Sequence, residues 1–188
     1  MQKWNRFQYL PVRPLGKDGR MVTGSSEHIR LSRTAAAEGM VLLKNEHQLL
    51  PLQKGSRVAL FGKASADYVK GGGGSGDVTV AYVRNLCDGM EEKENEGKLS
   101  VFAPLNEFYR ENVAQQHKAG KNPGYTTEPE VPAELLKQAA RECDTAIISI
   151  CRFSAEGWDR KGEPDDGDFY LSREEQRMVA DVTAAFRK

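Results

Sequence analysis

Arg57-Val-Ala-Leu-Phe-Gly62 and Thr145-Ala-Ile-Ile-Ser-Ile-Cys151 are the two stretches whose reading decides the fold. Each is an unbroken apolar run rather than an alternation, and the first stops at a glycine. Strands covered on both faces read this way, and they belong to parallel sheets flanked by crossover helices. The intervening segments supply helices. Ser25 or Ser26 caps one, with Glu27 in its first turn, and Ile29, Ala36, Met40 and Leu43 carry its stripe to about residue 44. Val80, Val83, Leu86, Cys87 and Met90 recur at helical spacing, and a polar stretch follows from Glu91 to Lys98. Leu105 to Lys118 and Ala133 to Cys143 read as further helices, separated by a proline-containing loop from Gly120 to Pro132. A last helix spans Ser172 to Lys188, with Ser172 as cap and Glu175 as its capping-box partner.

This order predicts an α/β fold, layered helix–sheet–helix around a mainly parallel sheet. Residues 1–24 hold Pro11, Pro14, Gly16, Gly19 and Gly24 without any period, and read as an N-terminal arm. Residues 25–188 form the domain. Two apolar strands are few for such a sheet, and the face Met178, Val179, Val182 and Phe186 of the last helix calls for a following strand. The expectation is a domain that continues past Lys188, with that stripe left open to drive self-association.

Composition narrows the function. The chain has 188 residues, the size of one domain, with 27 Lys+Arg against 27 Asp+Glu. A nucleic-acid binder carries a basic excess, so no nucleic-acid partner is expected. No apolar run approaches the ~20 residues of a membrane span, and the start, Met1-Gln2-Lys3-Trp4-Asn5-Arg6, lacks the apolar core of a secretory signal. Cys87, Cys143 and Cys151 form no CxxC pair and read as buried small apolar residues of a reducing compartment, which makes the cytoplasm the expected location.

Two segments are candidates for a site. The tract Gly71-Gly-Gly-Gly-Ser-Gly-Asp77 satisfies GxGxxG formally, but Lys63 to Lys70 separate it from the strand and no lysine follows Gly76. Dinucleotide and Walker phosphate loops both fail on that spacing, and a ligand-lining loop is favoured, since glycine backbone admits close approach. The second is Arg152-Phe-Ser-Ala-Glu-Gly-Trp-Asp-Arg160, directly after the second strand. Ligands of open α/β sheets gather outside the carboxyl ends of strands, and Glu156 beside Trp158 could be desolvated into a general acid. On composition alone Glu156 reads as an exposed loop residue, with Asp159 and Arg160 in surface pairs. The acidic set Glu163, Asp165, Asp166 and Asp168 lacks calcium-loop spacing and reads as solvated, and His28, His47 and His117 share no metal-ligand spacing. No metal site is expected.

The ordered set of motifs resembles the second domain of family 3 glycoside hydrolases. It comprises His28 to Glu46 with Leu50-Pro-Leu52, Val58-Ala-Leu-Phe-Gly62, Gly71 to Val78, Asp88-Gly89 and Ser154-Ala-Glu-Gly-Trp-Asp-Arg160. The resemblance implies part of a six-stranded α/β sandwich from a retaining β-glycosidase, most often a β-glucosidase, whose partner domain is a (β/α)8-like barrel. It assigns Glu156 as the acid/base, overturning the surface reading. It also implies that Ser75, Gly73, Gly74, Asp77 and Trp158 line the sugar site, with Asp159 and Arg160 supporting the loop. The family's nucleophile and Lys-His motifs are absent, so the barrel is expected elsewhere in the polypeptide. The position of Met1, some two dozen residues before the first motif, resembles members in which the sandwich precedes the barrel. The implied partners are that missing barrel and a β-glucoside or related oligosaccharide, and no cofactor is implied. A noncatalytic sugar-binding or assembly module of the same fold is the alternative.

Overall fold

The computed structural model describes residues 17–19, 24–71, 74, 78, 80, 82–122, 124–154, 157 and 160–186. The chain divides into two compact units, Met1–Leu49 and Leu50–Lys188. In the first, helix α1 (Ser26–Glu38) starts at Ser25, whose hydroxyl accepts from the His28 amide at 3.3 Å. It ends at Gly39, whose amide bonds Ala35 O at 3.0 Å. The expected continuation to residue 44 is therefore corrected: a glycine of low helix propensity closes the last turn, and Met40 and Leu43 fall outside it.

The second unit is built on β1 (Arg57–Phe61), β2 (Ser100–Val101) and β3 (Thr145–Ile148), all parallel in the order β2-β1-β3. Val58 pairs with both Val101 and Thr145, and Phe61 with Ile148. Hydrogen bonds extend this register at both ends. Arg57 N donates to Asp144 Oδ2 at 3.0 Å, and Ser149 N donates to Phe61 O at 2.8 Å.

Val58 to Phe61 are 0% exposed, and their side chains alternate between two cores. Ala59 and Phe61 meet α3 (Ala103–Lys118), α4 (Ala133–Glu142) and α5 (Arg173–Ala185) through Leu105, Tyr109, Ala139, Met178 and Val182. Val58 and Leu60 meet α2 (Leu86–Asn95) through Cys87, with Leu86 and Met90 beside it. The architecture is thus the expected α/β layering, helix–sheet–helix.

Several expectations change in detail. The helix read from Val80 begins at Leu86, because Asn85 caps it reciprocally: its side chain accepts from Asp88 N at 2.9 Å, and Asp88 Oδ2 accepts from Asn85 N at 3.1 Å. That helix runs on through Glu91–Asn95, the first part of the polar stretch. Strand β2 was not read at all; it is two residues long, and Glu94 Oε1 accepts from the Val101 amide at 2.9 Å. Strand β3 is half-buried, not the fully covered strand its composition suggests, because it stands at the sheet's edge among the described residues.

The final helix brings the largest correction. Met178 and Val182 are buried, Val179 and Phe186 pack against the same core, and Phe186 meets Phe61 edge-on at 5.8 Å. The stripe packs into the core shared by β1, α3 and α4, so the argument for self-association from it falls. Ser172 and Glu175 do form the capping box.

Where β1 ends, Gly62 has φ +93° and ψ 133°, a region nearly closed to other residues. A Cβ there would lie 2.2 Å from Ser149 O. Gly55 has φ +85° with nothing within 4 Å of its notional Cβ. Gly55→Ala is expected to cost only the conformational strain, ~1–2 kcal/mol, and Gly62→Ala about 3 kcal/mol or more. Urea unfolding of the two variants checks this, and equal midpoints would show that β1 and β3 part without cost.

Candidate active site

The ends of β1 and β3 open onto a cleft of about 500 Å³. Its walls come from the turn after β1 (Lys63), the loop between α3 and α4 (Tyr125, Glu128), and the segment after β3 (Arg152, Phe153). Ser154 and Arg160, which bracket the Glu156 motif in sequence, also line it. This is where parallel α/β sheets place ligands, because the strand ends diverge into loops there.

The floor of the cleft holds charge out of water. Glu128 is 7% exposed, and its Oε2 accepts from the Lys63 amide at 2.7 Å. Burial pushes its carboxyl up to about 7; the hydrogen bond from the Lys63 amide opposes that rise, while the nearby Glu175 carboxylate adds to it. The Tyr109 hydroxyl donates to Met178 Sδ at 3.6 Å, which leaves Glu128 Oε1 without a hydrogen-bond donor. Burial likewise drives the Tyr109 phenol upward and the Lys63 ammonium downward, the latter against the pull of Asp67 and Glu128. Lys63 Nζ donates to Gly124 O at 3.3 Å.

Arg152 is the hub of the segment after β3. Its Nη1 and Nη2 grip the Glu175 carboxylate bidentately, with Nη1–Oε1 at 2.8 Å, and its Nε donates to Asp168 O at 2.6 Å. Hydrogen bonding to the buried Glu175 carboxylate raises the Arg152 pKa, fixing its charge. Arg160 Nη1 bonds Asp168 Oδ1 at 3.0 Å, and the Lys161 amide donates to Asp168 Oδ2 at 2.6 Å. Asp165 pairs with Arg173 at 3.2 Å. Of the acids expected to be solvated, Asp165 and Asp168 are therefore engaged, while Glu163 and Asp166 are exposed.

The bases of three loops meet at Gly124. With φ +84°, a Cβ at this position would lie 2.6 Å from Phe153 Cε1 and 2.7 Å from Val69 Cγ2. Tyr125 stacks edge-on against Phe153 at 5.3 Å. Asp67 Oδ2 accepts from the Gly124 amide at 3.1 Å and from the Thr126 hydroxyl.

Among the predicted site residues, Gly74 is exposed with φ +68°, and Arg160 stands at the cleft wall. Gly73, Ser75, Asp77, Glu156, Trp158 and Asp159 lie outside the described residues. Lys63, Asp67, Glu128 and Arg152 escaped the sequence reading, since a lone charged residue in a loop gives no sign of burial. Glu175 was read only as a helix cap. Cys87 and Cys143 are buried as expected, but Cys151 is half-buried at the cleft. Among the described residues, no group of three His, Cys, Asp or Glu side chains is arranged to hold a metal ion.

A parallel three-layer core with a cleft at its strand ends hosts many chemistries, and the class of this chain follows from its relatives. Residues 40–188 match the Glycosyl hydrolase family 3 C-terminal domain, so this chain belongs to glycoside hydrolase family 3. It is 48% identical to Beta-glucosidase A of Butyrivibrio fibrisolvens over 99% of this chain and 25% of that protein. With a Beta-glucosidase of Ruminococcus albus it shares 34% over 87% of this chain and 17% of the relative. Among solved structures, beta-glucosidase 3B from Thermotoga neapolitana in complex with glycerol superimposes with a TM-score of 0.76 at 34% identity, over 85% of this chain and 22% of that one. The chain spans a quarter or less of the length of these relatives.

The raised carboxyl of Glu128 sets a pH dependence. Its folded pKa of about 7 lies above the unfolded value of roughly 4.3. Its contribution to stability is thus fully present below the unfolded pKa and lost as pH rises through about 7. The loss is of the order of 3 kcal/mol. Glu128→Gln is expected to remove it, so the variant gains on its parent between about pH 5 and about pH 8. Urea melts at both pH values test this, and parallel curves for variant and parent would exclude a neutral Glu128.

Proposed function

We propose that this chain supplies the acid/base half of a retaining β-glucosidase acting on terminal non-reducing β-D-glucosyl residues. The observation that carries this reading is the position of Ser154 and Arg160, the ends of the Glu156 motif, on a cleft at the strand ends of a family 3 domain. The β-glucosidase names of the relatives support the substrate class.

In this reading Glu156 protonates the glycosidic oxygen as the C–O bond breaks, while a carboxylate from the part of the polypeptide not spanned here bonds to the anomeric carbon. Water then attacks the glycosyl ester, giving its proton to Glu156 and releasing the nucleophile. Retention requires the two carboxyl groups about 5–5.5 Å apart, so the sugar is held between two domains. The family pattern gives Gly73, Gly74, Ser75, Asp77 and Trp158 the role of contacting the sugar. Asp159 and Arg160 brace the acid/base segment.

Two outcomes are expected. Residues 1–188 alone do not turn over aryl β-glucosides, whereas the full-length polypeptide does, because a retaining site without its nucleophile has no covalent route. In the full-length polypeptide, Glu156→Gln loses roughly 10²–10⁴-fold on poor leaving groups and much less in the first step on activated ones. Azide, which needs no base, restores turnover and yields a β-glycosyl azide. Glu163→Gln, altering an exposed acid, is the control. If Glu156→Gln matches Glu163→Gln with every leaving group, the motif is scaffolding and a sugar-binding module becomes the better reading.

A further inference from the structure

The segment carrying Glu156 follows Arg152 and is recaptured at Arg160, and one residue fastens both points. The Asp168 carbonyl takes Arg152 Nε at 2.6 Å, while its carboxylate takes Arg160 Nη1 at 3.0 Å and the Lys161 amide at 2.6 Å. Phe169 N donates to Lys161 O at 3.3 Å, which keeps Lys161 alongside the same stretch of chain. Asp168 is in turn held relative to α5, because the guanidinium that binds its carbonyl also grips Glu175, which is 5% exposed and caps that helix through Ser172. The Tyr170 carbonyl accepts from Arg152 Nη2 at 3.3 Å, so the guanidinium also holds the chain just beyond Asp168.

We infer that Asp168 is a positioning residue for the reaction: a clasp that closes the base of the Arg152–Arg160 segment and so fixes where its carboxyl acid stands against the substrate. This rests on the acid/base reading of Glu156. Three features carry it. The clasp joins both ends of one segment, where an ordinary surface ion pair would join a segment to a neighbour. It uses the backbone and the side chain of the same residue, so the two ends cannot shift independently. And the side-chain half sits at the cleft margin, where deleting it leaves the Arg152–Glu175 pair and the core intact. Loop-closure entropy is smaller for a short tethered segment than for a long one, so releasing Arg160 and Lys161 frees the chain from Phe153 to Lys161 at one end.

The test uses the full-length polypeptide. Asp168→Ala removes the carboxylate and keeps the carbonyl, and Arg160→Gln releases the same tie from its other side. Both are expected to lower kcat roughly 10- to 100-fold on poor leaving groups, the scale of a catalytic group misplaced by about an ångström. KM and the melting temperature change little. Activated leaving groups lose less, and azide recovers part of the turnover, the same signature as Glu156→Gln in weaker form. Asp168→Asn, which still accepts from the Lys161 amide, keeps more activity than Asp168→Ala. Glu163→Ala is the control. If Glu156→Gln shows its signature and both clasp variants match Glu163→Ala, the clasp is overturned while the acid/base reading stands. If Glu156→Gln itself behaves like the parent, both fall. A uniform loss across all leaving groups that tracks a lowered melting temperature makes Asp168 a stability residue only and also overturns the inference.

Discussion

Val58 to Phe61 have no side of their own to give to water: their backbone is bonded to β2 and β3, and their side chains are buried alternately above and below the sheet. A strand in that position must be covered on both faces. Helix α2 therefore has to lie against Val58 and Leu60, and α3, α4 and α5 against Ala59 and Phe61. The parallel pairing follows, since each return to the sheet passes through a helix. All three strands then end on the same side, and the loops that leave them converge. The cleft is a geometric consequence of that convergence, before any of its side chains is considered.

What fills the cleft floor is less simple. Lys63, Glu128, Arg152 and Glu175 bring both signs of charge into a poorly hydrated place, which costs free energy unless each charge is matched. Two solutions stand side by side. Arg152 and Glu175 match fully, with bidentate geometry and carbonyls taking the remaining guanidinium protons. Glu128 instead approaches neutrality, held up to about 7 by its burial. One junction of loops is thus held by matched charges, while its neighbour responds to pH.

The layering was legible in the sequence because unbroken apolar runs and capping residues are local signals. Ser172 with Glu175, and the glycine after Phe61, declare themselves within a few residues. The covering of Met178, Val182 and Phe186 was not legible, because a helical stripe does not say what it meets, and here it joins the core of α3, α4 and β1 rather than awaiting a later strand. Strand β2 escaped for the opposite reason: two residues carry no period, and Ser100–Val101 is a strand only because β1 lies beside it. The Glu156 motif was readable as a family pattern but not from its composition. The surrounding charges were read as solvated because sequence shows their number and not their partners, yet Asp165 and Asp168 are each held by hydrogen bonds.

The placement of the Arg152–Glu175 pair argues about purpose. A buried ion pair adds little net stability compared with apolar residues of similar size, since desolvation of both groups offsets most of their attraction. An apolar pair here would pack α5 against the sheet equally well. It could not reach the Asp168 and Tyr170 carbonyls, nor cap α5, so the returning chain would be free to slide along the helix. The pair exchanges a possible gain in stability for a fixed registry between the end of β3, the start of α5 and the segment between them. Such a registry matters little to a core. Under the proposed acid/base reading it matters to the Arg152–Arg160 segment, since a displacement of about an ångström at a reacting group can cost roughly 100-fold in rate.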